Sequence, residues 1–182
     1  MENTKNEIAR LAHKDFFDRC KIALDNGYYL EAMFMEYSAI EGRFKKIFSL
    51  LNFDCAGDYD SKHSIGLGIK LSCLKRLMEN DALFEKSYLS PSMISKVKKW
   101  VNRRDEITHA LYTNTDRYDS MMSKNKKYAE KGFEYARLFY KEADRLKGIK
   151  KRHPERFDSP ALVCNPTTER CIDFINELKS SQ

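Results

Sequence analysis

Glycine and proline are scarce in this chain, at seven and four of 182 residues. Hydrophobic residues make up 42% and charged residues 33%, which suits a helical protein with a core rather than a disordered or sandwich-like one. The length is sufficient for one sizeable core and does not require a second domain. We therefore predict an all-α protein.

Cysteine pairs and membrane-spanning runs are missing as well. The five cysteines are odd in number and scattered, with no C-x-x-C pair and no histidine at ligand spacing. No uninterrupted apolar run approaches the ~20 residues needed to cross a bilayer, and the first residues lack the order of a secretory signal. We expect a cytoplasmic protein with reduced thiols, no metal, no cofactor and no membrane contact.

Apolar residues recur at three- and four-residue spacing over most of the chain, as amphipathic helices require. Six helices are predicted. The first runs from a Thr4–Glu7 capping box to about Asn26, the second lies within 28–52 and the third covers about 64–80. The fourth begins at about 91, the fifth covers about 120–151 and the sixth about 167–180. The fourth begins at Ser90 and Pro91, a typical cap and first helical residue. We expect an up-and-down bundle of four to five main helices over 1–151, then an extension over 152–182 with a short helix.

Three helices have well-defined predicted core stripes. The stripe of the first helix consists of Ile8, Leu11, Ala12, Phe16, Cys20 and Ala23. That of the second consists of Leu30, Met33, Tyr37, Ile40, Phe44, Ile47 and Leu51, and Phe34 and Phe48 widen it. That of the fifth consists of Tyr128, Gly132, Tyr135, Phe139, Ala143, Leu146 and Ile149.

The stretch NRRDEITHALY, residues 102–112, concentrates polar chemistry on the fourth helix. Because each helical residue advances by ~100°, Arg104, Asp105, Thr108, His109 and Tyr112 fall on one arc beside the apolar stripe. That position suits a cleft or a subunit interface better than a solvated face. Asp105, Thr108 and Tyr112 are predicted to support the site.

Arginine and histidine together are sufficient to cleave RNA without a metal. Arginine presents planar donors that match phosphate oxygens and stays charged at any cellular pH. Histidine, with an unperturbed pKa of ~6.5, can accept or give a proton near neutrality. We therefore predict that Arg104 stabilises charge on the phosphate while His109 serves as acid or base for attack by the ribose 2′-hydroxyl. DNA lacks that hydroxyl.

The pattern Arg104-x4-His109 near the end of a bundle helix resembles the R-x(4–6)-H motif of the HEPN superfamily. These are small all-helical proteins that often act as RNases in toxin-antitoxin, anti-phage and CRISPR systems. The resemblance covers the motif and the helical order from roughly 5 to 150. It implies a homodimer with a composite site, Asp105 in a position that is often Asn, and an antitoxin or nucleotidyltransferase partner. Tyr112 resembles the tyrosine of some toxin members, although the spacing here is H-x-x-Y rather than H-x-Y.

Three alternatives remain open at this point. Arg104 and His109 can form a metal-independent endoribonuclease site, or they can serve recognition in a non-catalytic module that binds RNA, a nucleotide or a protein. In the third alternative the protein is a dimeric bundle whose motif is accidental, and His109 is a partly buried structural histidine. The net charge of +6 favours a polyanionic partner. Lys98, Lys99 and Arg103 are the cations that an RNA backbone passing the site would meet first.

Overall fold

The computed structural model of the protein describes the backbone of residues 2–52, 66–113 and 118–157, and their side chains except those of 2–10, 13, 69, 80, 111–113 and 118–124. Within these ranges the α-helices are α1 (Glu2–Asp25), α2 (Tyr29–Leu50), α3 (Leu67–Asn80), α4 (Pro91–Thr113) and α5 (Tyr118–Arg152), with short 3-10 helices at Ala82–Phe84 and Pro154–Phe157 and no strand. The predicted all-α helical bundle is confirmed. The helix predicted over 167–180 lies outside the described residues.

The turn between α1 and α2 is set by Gly27, as the sequence predicted. Gly27 has a φ of +79°, a conformation that costs glycine little because it has no Cβ. The amide of Tyr28 donates to the carbonyl of Ala23 at 2.8 Å, and that of Gly27 to Leu24 at 3.1 Å. This pair of bonds is the Schellman motif, which satisfies carbonyls that the end of a helix leaves free.

The first half of α1 differs from its prediction. The helix begins at Glu2, so Thr4 lies inside it rather than capping it. Leu11 is 54% exposed and Ala12 is exposed too, so neither lies in the core as predicted, and the side chain of Ile8 lies outside the described residues. In the second half of α1, Phe17 packs edge-on against Phe133 and Tyr140 of α5, at 5.5 and 4.9 Å between ring centroids.

The core is centred on the contact between α2 and α5. Phe44 of α2 lies 4.4 Å from Phe48 and 6.1 Å from Phe139 of α5, between ring centroids. Most of the predicted stripes are buried, but Phe34 is 41% and Tyr128 36% exposed. Both rings lie at the edges of the contacts between helices, so their predicted core positions are wrong.

The second helix pair consists of α3 and α4. Ser90 caps α4 as predicted, since its hydroxyl accepts from the amide of Met93 at 3.1 Å. The segment before α4 is attached to α5 by the buried carboxylate of Glu142, which accepts from the amide of Tyr88 at 2.9 Å and from Arg145. Among the described residues, no helix is both long and apolar enough to span a membrane.

Candidate functional site

Arg104 lies in the middle of α4, on the side that faces α2. Its guanidinium carbon is 4.5 Å from the ring centroid of Phe34 and 4.4 Å from that of Tyr37. Its side chain is 18% exposed, and its Nε is buried without a hydrogen-bond partner among the described residues. A cation near two aromatic faces is favoured electrostatically and sterically confined, so α2 fixes where Arg104 points.

The neighbours of Arg104 along α4 explain this placement. Val97, Trp100, Val101 and Ile107 are buried, and they lie at helical spacings of three, four and seven residues from Arg104. These spacings put Arg104 on the apolar stripe of α4 itself. At this position along α4, the side chains of α2 that Arg104 contacts are the aromatic rings of Phe34 and Tyr37. The hydroxyl of Thr108 donates back to the Arg104 carbonyl at 2.9 Å.

Asp105 supplies the counter-charge of Arg104. One carboxylate oxygen accepts from an Nη of Arg104 at 2.8 Å. Burial raises the pKa of the nearby Tyr37 phenol, and the negative charges of Glu41 and Asp105 raise it further, while the Arg104 charge lowers it. Glu41 itself pairs with Lys70 of α3 at 3.6 Å. The charges that act on Tyr37 therefore come from α2 and α4, and Glu41 links them to α3 through Lys70.

His109 is exposed. It lies five positions after Arg104 on the helix, which is about 140° around the axis. Within one chain the arginine consequently faces α2 while the histidine faces outward. The side chain of Tyr112, the remaining residue of the predicted arc, lies outside the described residues.

Of the three predicted RNA-contacting cations, Lys99 and Arg103 share one side of α4, while Lys98 faces α3. Lys98 is half-buried and donates to the Ser72 hydroxyl of α3 at 3.1 Å. Lys99 and Arg103 are exposed, and Arg103 pairs with Glu106 at 2.7 Å. Lys98 therefore helps to join α3 to α4, whereas Lys99 and Arg103 remain accessible from outside.

The contacts of Phe34 and Tyr37 with Arg104 were not predicted from the sequence, and neither was a buried acid. Glu36 of α2 is completely buried. Burial raises its pKa to about 8, although a hydrogen bond from Cys20 lowers it. The spacing held a signal, because Glu36 follows Met33 by three residues and precedes Ile40 by four, which places it on the core stripe.

The Glu36 carboxyl lies between α1, α4 and α5. Oε1 accepts from the Cys20 thiol at 3.6 Å, and Oε2 has no hydrogen-bond partner among the described residues. A Cβ added to Gly132 of α5 would lie 2.1 Å from Oε2 and 2.5 Å from the Trp100 ring. Burial, then the charge of Glu36, raises the pKa of Cys20 to about 12, so its thiol stays protonated and is a poor nucleophile.

Within the described part of the chain, no three His, Cys, Asp or Glu side chains lie close enough together to hold a metal ion. No family model, curated protein or solved structure significantly matches this chain. The HEPN resemblance therefore stays a prediction that rests on the Arg104–His109 spacing and the helical order.

Proposed function

We propose that the protein is a HEPN-like, metal-independent endoribonuclease that acts as a cytoplasmic homodimer. One observation carries the proposal: α4 bears an arginine that two aromatic rings confine, followed after five residues by an exposed histidine. A fixed cation and an accessible acid-base group are the two parts that 2′-hydroxyl attack on a phosphate needs. The resemblance implies a toxin-antitoxin or anti-phage setting, with an antitoxin or nucleotidyltransferase partner.

The proposed reaction breaks one bond and forms one at phosphorus. His109 of one copy takes the proton of the ribose 2′-hydroxyl while that oxygen bonds to the phosphorus. The bond to the 5′-oxygen breaks, and His109 of the second copy gives that oxygen a proton. The products are a 2′,3′-cyclic phosphate and a 5′-hydroxyl, and Arg104 offsets the negative charge that builds on the phosphate oxygens.

Two copies are part of the proposal because Arg104 and His109 of one chain lie about 140° apart around α4. An exposed histidine is accessible to the α4 of a second copy, so each site can take residues from both chains. Because the proposed reaction uses His109 of both copies, an excess of His109→Ala protein mixed with wild type is expected to lower cleavage, since each mixed dimer contains a single His109.

Asp105 limits how Arg104 meets a phosphate, because its carboxylate already accepts from the guanidinium. Asp105→Asn keeps the size of the side chain and removes its charge. We expect this variant to bind RNA more tightly than wild type, by up to about tenfold for a charge-assisted bond worth about 1.4 kcal/mol. Equal or weaker binding would show that Asp105 does not compete with phosphate.

A non-catalytic module that binds RNA, a nucleotide or a protein is the second candidate. The Arg104 side chain is 18% exposed, and this low exposure favours the binding module. An arginine that only recognises a ligand can be partly covered, whereas a catalytic arginine must follow the charge that moves during the reaction. If this second candidate is correct, Arg104→Ala and His109→Ala weaken RNA binding, and neither they nor the wild type cut RNA.

The decisive assay measures cleavage of labelled RNA in the presence of a chelator by wild type, His109→Ala and Arg104→Ala. Urea unfolding of His109→Ala shows whether this variant is folded, and lost cleavage by the folded variant then reports chemistry. Arg104→Ala also removes packing, so Arg104→Lys and urea unfolding accompany it. Equal cleavage by wild type and His109→Ala would refute the proposal.

A further inference from the structure

A groove of about 490 Å³ runs between α4 and α5 on the outside of the bundle. Its α4 wall carries Lys96, Lys99 and Arg103, which are spaced by three and four residues. Consecutive turns of one helix thus present three cations on one side. The groove ends at Glu106, three residues before His109, or about 4.5 Å along the helix axis.

The α5 wall repeats the same spacing with different chemistry. Tyr128, Lys131 and Tyr135 line it, again three and four residues apart. Tyr128 is 36% exposed, whereas Tyr135 is only 8% exposed. The part of this wall formed by Tyr128 and Lys131 is therefore accessible to a ligand, with an aromatic ring and an ammonium group.

The floor of the groove is held by Trp100. Its indole Nε1 donates to the carbonyl of Tyr128 at 2.8 Å, and its ring meets that of Tyr135 edge-on at 6.4 Å between centroids. Gly132 allows this close approach, since a Cβ there would collide with the indole. Because these contacts fix the two helices relative to each other, the groove is formed before any ligand binds.

The charge of the groove selects an anion. Among the described residues that line the groove, four are cations and one, Glu106, is an acid. Glu106 is already held by Arg103 at 2.7 Å, and the guanidinium carbon of Arg103 lies 5.7 Å from the Tyr128 ring centroid. An extended ligand with regularly spaced negative charges and flat rings matches this combination, which is also found in proteins that bind single strands.

We propose that the groove between α4 and α5 binds one unpaired strand of RNA, with phosphates on Lys96, Lys99 and Lys131 and a base against Tyr128. The choice of RNA over DNA rests on the proposed function. His109 lies about 60° around the axis from Glu106 and about 4.5 Å further along it, so a strand reaches His109 by leaving the groove past Glu106. Lys98, which is bonded to Ser72 of α3, does not line the groove.

The test measures binding of a fluorescein-labelled oligouridylate by anisotropy, in a His109→Ala background so that the RNA stays intact. The groove variant is Lys99→Gln with Lys131→Gln. Its matched control is Lys86→Gln with Lys147→Gln, two lysines that are also exposed and lie outside the groove. Both double variants change the net charge equally, so general electrostatic attraction affects them alike.

Salt dependence separates groove contacts from general attraction. Each phosphate contact to a single strand contributes about 0.7 to the slope of log K against log salt. The groove variant is expected to lower that slope by about 1.4, and the control is expected to keep it. Equal slopes for the groove variant and the control would overturn the inference.

The stacking part is tested with Tyr128→Ala and Tyr128→Phe. Loss of one stacked base weakens binding by roughly five- to a hundredfold, and phenylalanine is expected to restore it because its ring stacks equally well. Trp100 is the single tryptophan of the chain, so its emission is expected to change on titration with unlabelled oligouridylate. If Tyr128→Ala has no effect, or if polyglutamate displaces RNA equally well from wild type and Tyr128→Ala, the ligand is not a stacked strand.

Failure of this inference and failure of the proposed function give different results. Groove-dependent binding by a wild-type protein that cuts no RNA removes the enzyme and keeps the groove. Cleavage that requires His109, combined with unchanged binding by the Lys99 and Lys131 variant, keeps the enzyme and removes the groove.

Discussion

Replacing Glu36 with glutamine is expected to abolish the pH dependence of stability that the buried Glu36 carboxyl causes. In the folded protein burial raises the pKa of Glu36 to about 8, while the ordinary pKa of an exposed glutamate is 4.5. Between these values the folded chain holds a proton that the unfolded chain releases. Stability from this group is therefore complete below about pH 4.5 and is lost as the pH rises through about 8.

The size of this effect follows from the two pKa values. At ~1.36 kcal/mol for each pH unit, the interval from 4.5 to about 8 corresponds to about 5 kcal/mol. Glu36→Gln keeps a neutral, isosteric side chain at every pH. The variant should equal wild type in stability near pH 4.5 and exceed it by several kcal/mol above about pH 8.

Urea unfolding followed by circular dichroism, at pH steps from about 5 to about 8.5, measures this difference. Glu134→Gln, on the exposed side of α5, makes the same change in net charge and serves as the control. Cys20→Ala removes the donor that lowers the pKa of Glu36, so it should move the pH midpoint upward. A stability difference between wild type and Glu36→Gln that stays constant with pH would refute the reasoning.

Two further predictions concern packing and charge in the bundle. Gly132→Ala should destabilise the protein by about 1–3 kcal/mol because the new Cβ collides with the Trp100 ring. Gly42→Ala should instead stabilise the protein by about 0.5–1 kcal/mol, because a Cβ at Gly42 meets nothing within 4 Å. Thermal unfolding distinguishes them, and equal shifts of the two melting temperatures would contradict this packing. Arg145→Ala leaves the buried Glu142 without its cation and should cost about 3–5 kcal/mol in urea unfolding; a loss below about 1 kcal/mol would mean that the pair is dispensable.

The sequence allowed the local features of the fold to be predicted, because each depends on residues close together in the chain. The glycine turn at Gly27 and the cap at Ser90 are examples, and both involve bonds over three to five residues. The periodic burial of α2 is another, since one helix face carried most of the apolar residues.

Features that depend on how helices meet could not be predicted in this way. Leu11 fits the stripe of α1, yet its side chain is 54% exposed. Tyr128 fits the stripe of α5, but its ring lies at the edge of the groove that Trp100 closes below. The same limit applies to the candidate site: the spacing of Arg104 and His109 was visible, while the two rings that confine Arg104 come from another helix.

The most direct test of the central proposal is the chemistry of the RNA ends that the wild-type protein produces in the presence of a chelator. Attack by the 2′-hydroxyl, with His109 transferring protons, predicts 2′,3′-cyclic phosphate and 5′-hydroxyl ends, and a substrate methylated at the 2′-oxygen should stay intact. Mass spectrometry of the fragments identifies the ends. The absence of cleavage, or the appearance of 3′-hydroxyl and 5′-phosphate ends that require a divalent ion, would contradict the account.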